Sequence, residues 1–187
     1  MEIFEFIIQK DKEFMIFLNN LGSESWDFFW ITVTNKRVWI PLYALLLYLI
    51  FKSVGTKKGI AILIIAAVLI TFADQFTNLI KYTFERLRPS NDPSINEKLR
   101  VLHKSTGFSF FSGHSSNSFA NTTFLFLLLR KYYKYMGLLF IWPILFAYSR
   151  IYVGVHYPSD IFVGMIFGIL TGFLFYKISM KIINRIQ

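Results

Sequence analysis

Three ionisable residues near the C-terminal end of the sequence stand at the end of an apolar segment, where such groups are costly unless they have a role. His156 has Asp160 four positions after it and Arg150 six positions before it. A carboxylate beside a histidine fixes the tautomer and orientation of the ring, and a guanidinium is a permanently charged, planar donor suited to phosphate. The spacing therefore indicates a nucleophilic or proton-transferring histidine beside a cation that holds an oxyanion. The alternative is a buried His156–Asp160 pair that only ends a helix.

Two further clusters contain groups that can bind an anion. Lys81 and Arg88 are seven positions apart, which on one helix places both cations on the same stripe, about 10 Å from each other. Taken alone, such a pair is better explained by contacts with lipid headgroups. Ser112-Gly113-His114 opens a later apolar segment, and a helix start with a glycine lets backbone N–H groups approach a phosphate. Taken alone, Ser112 can equally be a helix cap and His114 an interfacial residue.

Together, the three clusters contain the groups needed to transfer a phosphoryl group to histidine. The cations and backbone amides would hold the phosphoryl oxygens while His156 attacks phosphorus and Asp160 stabilises the resulting charge. His114 would protonate the departing oxygen, and water would then cleave the phosphohistidine. No carboxylate or histidine cluster has metal-ligand spacing, so we expect chemistry without a metal or other cofactor.

The order of these clusters resembles the three-part signature of the type-2 phosphatidic acid phosphatase family. The matching residues are Lys81-(six residues)-Arg88-Pro89, Ser112-Gly113-His114 and Ser149-Arg150-(five residues)-His156-(three residues)-Asp160. The resemblance covers residues 36 to 180. Within the family, the sequence is similar to the bacterial membrane branch, which includes undecaprenyl-diphosphate and phosphatidylglycerophosphate phosphatases. It implies phosphate binding by Lys81, Arg88, Ser112, Gly113 and Arg150, with His114 as general acid, His156 as nucleophile and Asp160 as its partner.

One position departs from that signature. Phe111 stands where the family usually has proline before Ser-Gly-His. Proline pre-sets the entry into a helix, so its loss is expected to loosen the loop. No reacting group is removed, and we expect activity to survive.

The composition indicates a membrane protein. Of 187 residues, 55% are hydrophobic and 19% aromatic, which is too apolar for an ordinary soluble domain. The net charge of +9 could suit nucleic acid, but its distribution suits a bilayer, so we expect lipid partners and no nucleic acid. Cysteine is absent, which excludes disulfides and thiolate metal sites. The chain has no linker, repeat or low-complexity tract, which predicts a single domain over residues 1–187.

The apolar segments predict an all-α, polytopic membrane bundle with about five spanning helices and one N-terminal amphipathic helix, six helices in all. Residues 1–36 are predicted to be interfacial, since residues 2–20 carry too many charges to span and residues 26–34 are rich in aromatic side chains. The predicted spans of the catalytic bundle (37–180) are 38–51, 59–80, 112–129, 135–148 and 161–176. The second helix is expected to continue to Arg88, and Pro143 is a possible kink. Gly164, Gly168 and Gly172 predict close helix packing.

Alternation of five spans places all the polar motifs on one face of the membrane. The opposite face then carries nine basic residues and no acidic one: Lys52, Lys57, Lys58, Arg130, Lys131, Lys134, Lys177, Lys181 and Arg185. The positive-inside rule makes that face cytoplasmic, so the site would face the periplasm from a bacterial inner membrane. By number of Lys and Arg alone, the basic face has nine and the rest of the chain has eleven. The rest of the chain has eight once Lys81, Arg88 and Arg150 are assigned to the site, so the charge count favours this orientation only moderately.

These features predict an integral-membrane phosphatase that removes a terminal phosphate from a lipid phosphate or diphosphate. Undecaprenyl diphosphate is the leading substrate, because recycling of that carrier needs an outward-facing site; phosphatidylglycerophosphate, phosphatidic acid and lipid A phosphates are the alternatives. A non-catalytic lipid-binding or lipid-translocating protein is the alternative of another class, although both histidines are present. A vanadate-dependent haloperoxidase shares the anion site, but five apolar spans argue against it. Asp74, on the helical stripe of Lys81, is interpreted as structural.

Overall fold

The computed structural model describes residues 2–186, and regular secondary structure in this range is entirely helical. The α-helices are α1 (Glu2–Asn20), α2 (Glu24–Thr34), α3 (Ile40–Phe84), α4 (Gly113–Leu129), α5 (Ile141–Tyr152) and α6 (Pro158–Ile183). Short 3-10 helices cover Lys36–Trp39, Pro89–Asn91, Asn96–Lys98 and Met136–Phe140. The all-α prediction is confirmed. Two stretches are long and apolar enough to cross a membrane, Lys36–Asn91 and Pro158–Ile183, and the number of crossings stays a prediction.

Helix α3 folds back on itself at Gly55. The backbone of Gly55 has φ 76° and ψ 176°, a region that is open essentially to glycine alone. Ile50 before the break and Ile65 after it lie in one buried cluster, whereas an unbroken helix would hold them about 22 Å apart. Thus α3 consists of two arms, residues 40–54 and 56–84, which correspond to the first two predicted spans.

The small residues of α4 and α6 allow these two helices to pack backbone against backbone. A Cβ atom added at Gly168 would lie 2.5 Å from the carbonyl oxygen of Ser116 and 2.9 Å from the backbone nitrogen of Ala120. One at Gly164 would lie 2.8 Å from the carbonyl oxygen of Ser112. The predicted glycine stripe is therefore confirmed as a packing surface, and it holds α6 against the helix that begins at Ser112.

The fourth predicted segment is divided by the structure. A 3-10 helix over Met136–Phe140 precedes α5, and α5 then continues to Tyr152, four residues beyond the predicted end. Pro143 lies in the first turn of α5, where its missing N–H leaves no helical hydrogen bond unmade, and a kink at this position stays a prediction. The extension places Arg150 inside the last turn of α5.

The N-terminal helices pack around the ends of α5 and α6. Met15 of α1 is fully buried in a cluster with Ile151 and Tyr157. The amide of Asn19 donates to the carbonyls of Ile151 and Tyr152. Other side chains of α1 are apolar and exposed: Ile3, Phe4, Phe6, Ile7, Phe14 and Phe17. Helix α1 therefore has a docked face and an unpartnered apolar face, the pattern of a helix that lies in a membrane interface.

The basic turns come together at the far end of the bundle. The hydroxyl of Ser53, beside the break in α3, donates to the hydroxyl of Tyr133, 3.1 Å away. Lys58, Lys131 and Asn184 line one small cavity there. The turns that the sequence assigned to one face thus lie at one end of the molecule.

Candidate active site

A cavity of about 850 Å³ lies between the two arms of α3, α4 and the end of α5. Six residues predicted to act on phosphate line it: Lys81, Arg88, Gly113, His114, Arg150 and His156. Asp160 is fully buried behind His156, and Ser112 is fully buried at the start of α4. The structure therefore brings the three sequence clusters together at one end of one cavity.

The two ring nitrogens of His156 have different surroundings. Nδ1 lies 3.3 Å from Oδ2 of Asp160, which also accepts the backbone N–H of Tyr157 at 2.9 Å. A carboxylate facing Nδ1 selects the tautomer with its proton on Nδ1, because only that tautomer can donate to it. Nε2 is then unprotonated and accepts from Nη1 of Arg88 at 3.2 Å, and His156 lines the cavity. This arrangement is that of a histidine nucleophile oriented by a carboxylate.

The environment of His156 favours its neutral form. His156 lies in the loop between α5 and α6 and is 1% exposed. Burial lowers the pKa of His156 to about 4, although the hydrogen bond and charge of Asp160 act in the opposite direction. The ring therefore carries no proton on Nε2 at neutral pH, as attack on phosphorus requires.

Lys81 and Arg88 both line the cavity, but Lys81 is helical and Arg88 is not. Helix α3 ends at Phe84, and Glu85 adopts a left-handed conformation (φ 46°), so the prediction that Lys81 and Arg88 share one helical stripe is wrong. Arg88 is extended (ψ 151°), as expected for a residue that precedes proline. Its guanidinium is fixed by the carbonyls of Val155 (3.1 Å) and Thr106 (3.2 Å). Arg88 is thereby held beside the ring of His156.

The start of α4 lies directly beside the cation of Lys81. Ser112 caps the helix, and its Oγ accepts the backbone N–H of Ser115 at 3.3 Å. Gly113 follows, and a Cβ atom there would lie 4.0 Å from Nζ of Lys81. The hydroxyl of Ser112 is thus occupied as a cap and does not line the cavity, which leaves the backbone of Gly113 as the part of this motif that faces the cavity. Phosphate binding by Ser112 stays a prediction.

His114 and Arg150 complete the wall opposite Lys81. The ring of His114 packs on Phe146, with ring centroids 4.9 Å apart, and faces the cavity. Nη1 of Arg150 donates to Oγ1 of Thr34 at 2.6 Å. Nε of Arg150 is buried and has no hydrogen-bond partner within residues 2–186. An anion in the cavity would supply an acceptor for a donor that otherwise pays the cost of burial.

Several residues at the site were not anticipated from the sequence. The hydroxyl of Ser109 donates to Oδ2 of Asp160 and lies 3.5 Å from Nδ1 of His156. Arg86 donates to the other oxygen of Asp160, and Lys36 lines the cavity. Arg86 lies between Lys81 and Arg88, and Ser109 lies three residues before Ser112. Their polar types close to these motifs are the signal that could have identified them. Lys36 belongs to residues 1–36, which were predicted to be interfacial.

Phe111 and Asp74 lie next to the site in different environments. Phe111 is buried, and its ring packs against Phe167 with centroids 5.2 Å apart, so packing anchors the loop where the family signature has proline. Asp74 lines the cavity, is exposed, and accepts from the amide of Asn78 at 3.3 Å. Among residues 2–186, no three His, Asp or Glu side chains are grouped so as to hold a metal ion.

The chain is similar to several known lipid phosphatases. The chain is 36% identical over 188 residues to a lipid A 4'-phosphatase of Bacteroides thetaiotaomicron, covering 98% of this chain and 83% of that protein. It is 34% identical over 165 residues to an undecaprenyl-diphosphatase of Sulfolobus acidocaldarius, covering 88% and 69%. The crystal structure of a transmembrane PAP2-type phosphatidylglycerolphosphate phosphatase from Bacillus subtilis has the same fold, with a TM-score of 0.74, 22% identity and coverage of 94% and 87%.

The family model described as PAP2 superfamily matches residues 59–183, which contain every predicted site residue from Lys81 to Asp160. On this match, and on its identity to the two phosphatases, the chain is a member of the PAP2 superfamily.

Proposed function

We propose that this membrane lipid phosphatase works through a phosphohistidine and without a metal. Nε2 of His156 forms a bond to phosphorus while the bond from phosphorus to the leaving oxygen breaks. His114 donates a proton to that oxygen and then accepts one from the water that attacks the phosphohistidine. The second step breaks the bond between phosphorus and Nε2, releases inorganic phosphate and restores both histidines.

The observation that carries this proposal is the position of His156, which lines a cavity together with four basic side chains. These are Lys36, Lys81, Arg88 and Arg150. Four cations around one cavity repel one another, and a phosphate dianion offsets that repulsion. They also supply the positive charge that stabilises the transferring phosphoryl group, the role that a metal ion has in other phosphoryl-transfer sites.

Hydrogen-bond acceptors further along the cavity favour a phosphorylated glycolipid of the lipid A type as substrate. Asp74 lies seven residues from Lys81 on the second arm of α3, about 10 Å along the helix. Asn117 and Asn121 follow Gly113 on α4 at about 6 and 12 Å. Acceptors at this distance suit the hydroxyl and amide donors of a sugar, and the carboxylate of Asp74 disfavours a second phosphate nearby.

Undecaprenyl diphosphate is the second candidate substrate. Lys36 lines the cavity, and its cation would bind the leaving phosphate of a diphosphate. The 34% identity to an undecaprenyl-diphosphatase supports the same substrate. The two candidates therefore depend on different side chains: Asp74 and Asn121 for the glycolipid, and Lys36 for the diphosphate.

We further propose that the bundle crosses the inner membrane five times and opens its site to the periplasm. The crossings would be the two arms of α3, α4, the Met136–Tyr152 segment and α6. The exclusively basic turns at the end away from the cavity support a cytoplasmic location for that end.

The decisive experiment follows phosphate release in detergent with EDTA, from a lipid A phosphate, undecaprenyl diphosphate and phosphatidic acid. Wild-type protein should release phosphate from at least one lipid, and His156→Ala should reduce the rate by about 10⁴-fold or more. An alkaline quench of wild-type protein with ³²P-labelled substrate should trap labelled histidine that His156→Ala lacks.

Two results would contradict the proposal. Release that requires added metal would overturn the mechanism. Lipid binding without release by folded wild-type protein would overturn the enzymatic function and favour a binding or translocating protein.

A further inference from the structure

Asp160 uses its two carboxylate oxygens for different partners. Oδ2 faces Nδ1 of His156 and accepts from Ser109 and from the backbone of Tyr157. Oδ1 accepts from Nη1 of Arg86 at 2.9 Å. The guanidinium of Arg86 also lies over the ring of Tyr157, with its carbon 3.8 Å from the ring centroid. Arg86 thus holds the side of the carboxylate that the histidine does not use.

Arg86 is in turn held by a residue of the N-terminal helix. Nη2 of Arg86 donates to Oδ2 of Asp11 in α1 at 2.6 Å. The same carboxylate accepts the backbone N–H (3.0 Å) and the hydroxyl (2.5 Å) of Ser159, the residue before Asp160. Asp11 therefore contacts both neighbours of the catalytic carboxylate, its cationic partner and its preceding residue.

Attachment of α1 to the bundle does not by itself explain a carboxylate at this position. Met15 and Asn19 already bury their side chains against α5 and the adjoining loop. Lys12 adds an ion pair to Asp92 at 2.8 Å. The side chain of Asp11 is only 9% exposed, and burying a charge is costly unless it is fully paired. The particular effect of Asp11 is to fix Arg86 and the first turn of α6.

We propose that Asp11 and Arg86 are positioning residues for the Asp160–His156 pair, so that α1 completes the geometry of the nucleophile. The proposal rests on the proposed function of His156. A carboxylate held from both oxygens keeps the imidazole ring in one orientation toward phosphorus. The cation of Arg86 also keeps Asp160 ionised while His156 carries the phosphoryl group. In the absence of this support the carboxylate can rotate, and Nε2 loses its alignment.

The test compares Asp11→Asn and Arg86→Gln with wild type in steady-state assays on the lipid that turns over fastest. Each variant should lower kcat about 10- to 100-fold, since a small displacement of a reacting group costs this much, and KM should change little. Arg86→Lys keeps the charge but not the two-pronged contact, and its kcat should lie between wild type and Arg86→Gln. The double variant Asp11→Asn/Arg86→Gln should lose less than the product of the two single losses, because both residues act on the same carboxylate.

Glu13→Gln is the matched control for Asp11→Asn. It makes the same change from carboxylate to amide two residues along α1, but Glu13 is exposed and pairs with Gln9 and Lys10 of its own helix. Asp27→Asn is a second control, since it breaks the ion pair of α2 with Arg100 (3.0 Å) at a distance from Asp160. Both should keep the kcat of wild type. Equal losses in these controls, or a rise in KM with kcat unchanged in Asp11→Asn, would overturn the positioning role.

A spectroscopic readout separates this inference from the proposed function. The chain has three histidines, so ¹⁵N-labelled His156 can be resolved by NMR in the intact protein. The wild-type ring should show the single tautomer with its proton on Nδ1, and Asp11→Asn should show a mixture of tautomers. An unchanged tautomer in folded Asp11→Asn would overturn the inference, even if wild-type protein hydrolysed no lipid.

Discussion

The neutral state of His156 and the proposed binding of an anionic substrate both depend on the cations beside the ring. Burial and the nearby guanidiniums of Arg88 and Arg150 disfavour a second proton on the ring, and this keeps Nε2 nucleophilic. In the proposed mechanism the same guanidiniums attract the phosphate that the ring attacks. One set of cations would then both bind substrate and keep the nucleophile unprotonated.

We expect the acid limb of kcat/KM to lie well below pH 6.5. His156 must be neutral to attack, and burial lowers its pKa to about 4, so activity should persist through pH 5.5 once titration of the substrate phosphate is measured and divided out. The effect on stability has a defined sign: between about pH 4 and about 6.5 the unfolded state binds more protons, so stability falls as pH falls through this window. A corrected limb centred near 6.5 would contradict the neutral-histidine mechanism.

His114→Ala tests the general acid separately. We expect kcat for a lipid phosphate to fall by about 10²- to 10⁴-fold, because the leaving alkoxide needs a proton. With p-nitrophenyl phosphate the fall in kcat should be much smaller, since nitrophenolate is a good leaving group that needs no proton. His103→Ala, which changes an exposed histidine of the loop, is the control and should leave both rates unchanged. Equal losses with both substrates would assign His114 to binding.

The residues of the three motifs could be predicted from the sequence, because their types and short spacings identify them. Their supporting partners could not be predicted in the same way. Asp11 contacts Ser159 across 148 positions of sequence, and nothing near Asp11 distinguishes it from the other charges of α1. The rotamer of a polar side chain is decided by such long-range contacts, which spacing along the chain does not contain.

The pairing of α4 with α6 is the element that sets the position of Ser112 and Gly113 relative to Asp160. The backbone N–H of Ser112 donates to the carbonyl of Asp160 at 3.1 Å, so the two helix starts are joined directly. The glycines at 164 and 168 let the helices approach closely enough for that bond. Close packing between these helices is therefore a condition for the site.

Gly168→Ala should destabilise the protein by about 1–3 kcal/mol, because the added methyl group meets the carbonyl of Ser116 and the helices must separate. Gly137→Ala is the matched control: a Cβ there meets nothing within 4 Å, and stability should be unchanged or slightly higher. Unfolding of both variants in detergent can be followed by circular dichroism. A neutral Gly168→Ala would show that the α4–α6 interface can relax at no cost.

The sequence-based prediction of elements was most accurate where one signal dominated. The Ser112 cap and the apolar run after it located α4 within one residue, and the Lys-rich turn located the break in α3. It failed after Lys81, because helical periodicity continued to Arg88 while the guanidiniums of Arg86 and Arg88 found partners outside the helix. Helix α3 therefore ends at Phe84, four residues before the predicted end at Arg88.

The whole molecule has a polar end that holds the cavity and a basic end that holds the turns. Because the chain has no cysteine, single substitutions can report the side of the membrane on which each end lies.

We expect Lys104→Cys, in the loop at the polar end, to react with an impermeant maleimide in intact spheroplasts. Lys57→Cys and Lys134→Cys, at the basic end, should react only after permeabilisation. All three variants remove one exposed lysine, so each controls for the loss of charge in the others. The reverse pattern would place the active site in the cytoplasm and contradict the proposed orientation.

The division of α3 into two arms has an energetic consequence for the lipid. The cavity between the arms is walled beyond its polar part by apolar side chains, and Leu47 and Ile70 belong both to this wall and to the exposed outer surface. A headgroup can then reach His156 while the hydrocarbon chains stay beside these side chains in the bilayer. Withdrawing a fourteen-carbon chain into water would cost about 11 kcal/mol, at ~0.8 kcal/mol per methylene. If the headgroup enters sideways between the arms, the hydrocarbon chains of the lipid need not leave the bilayer.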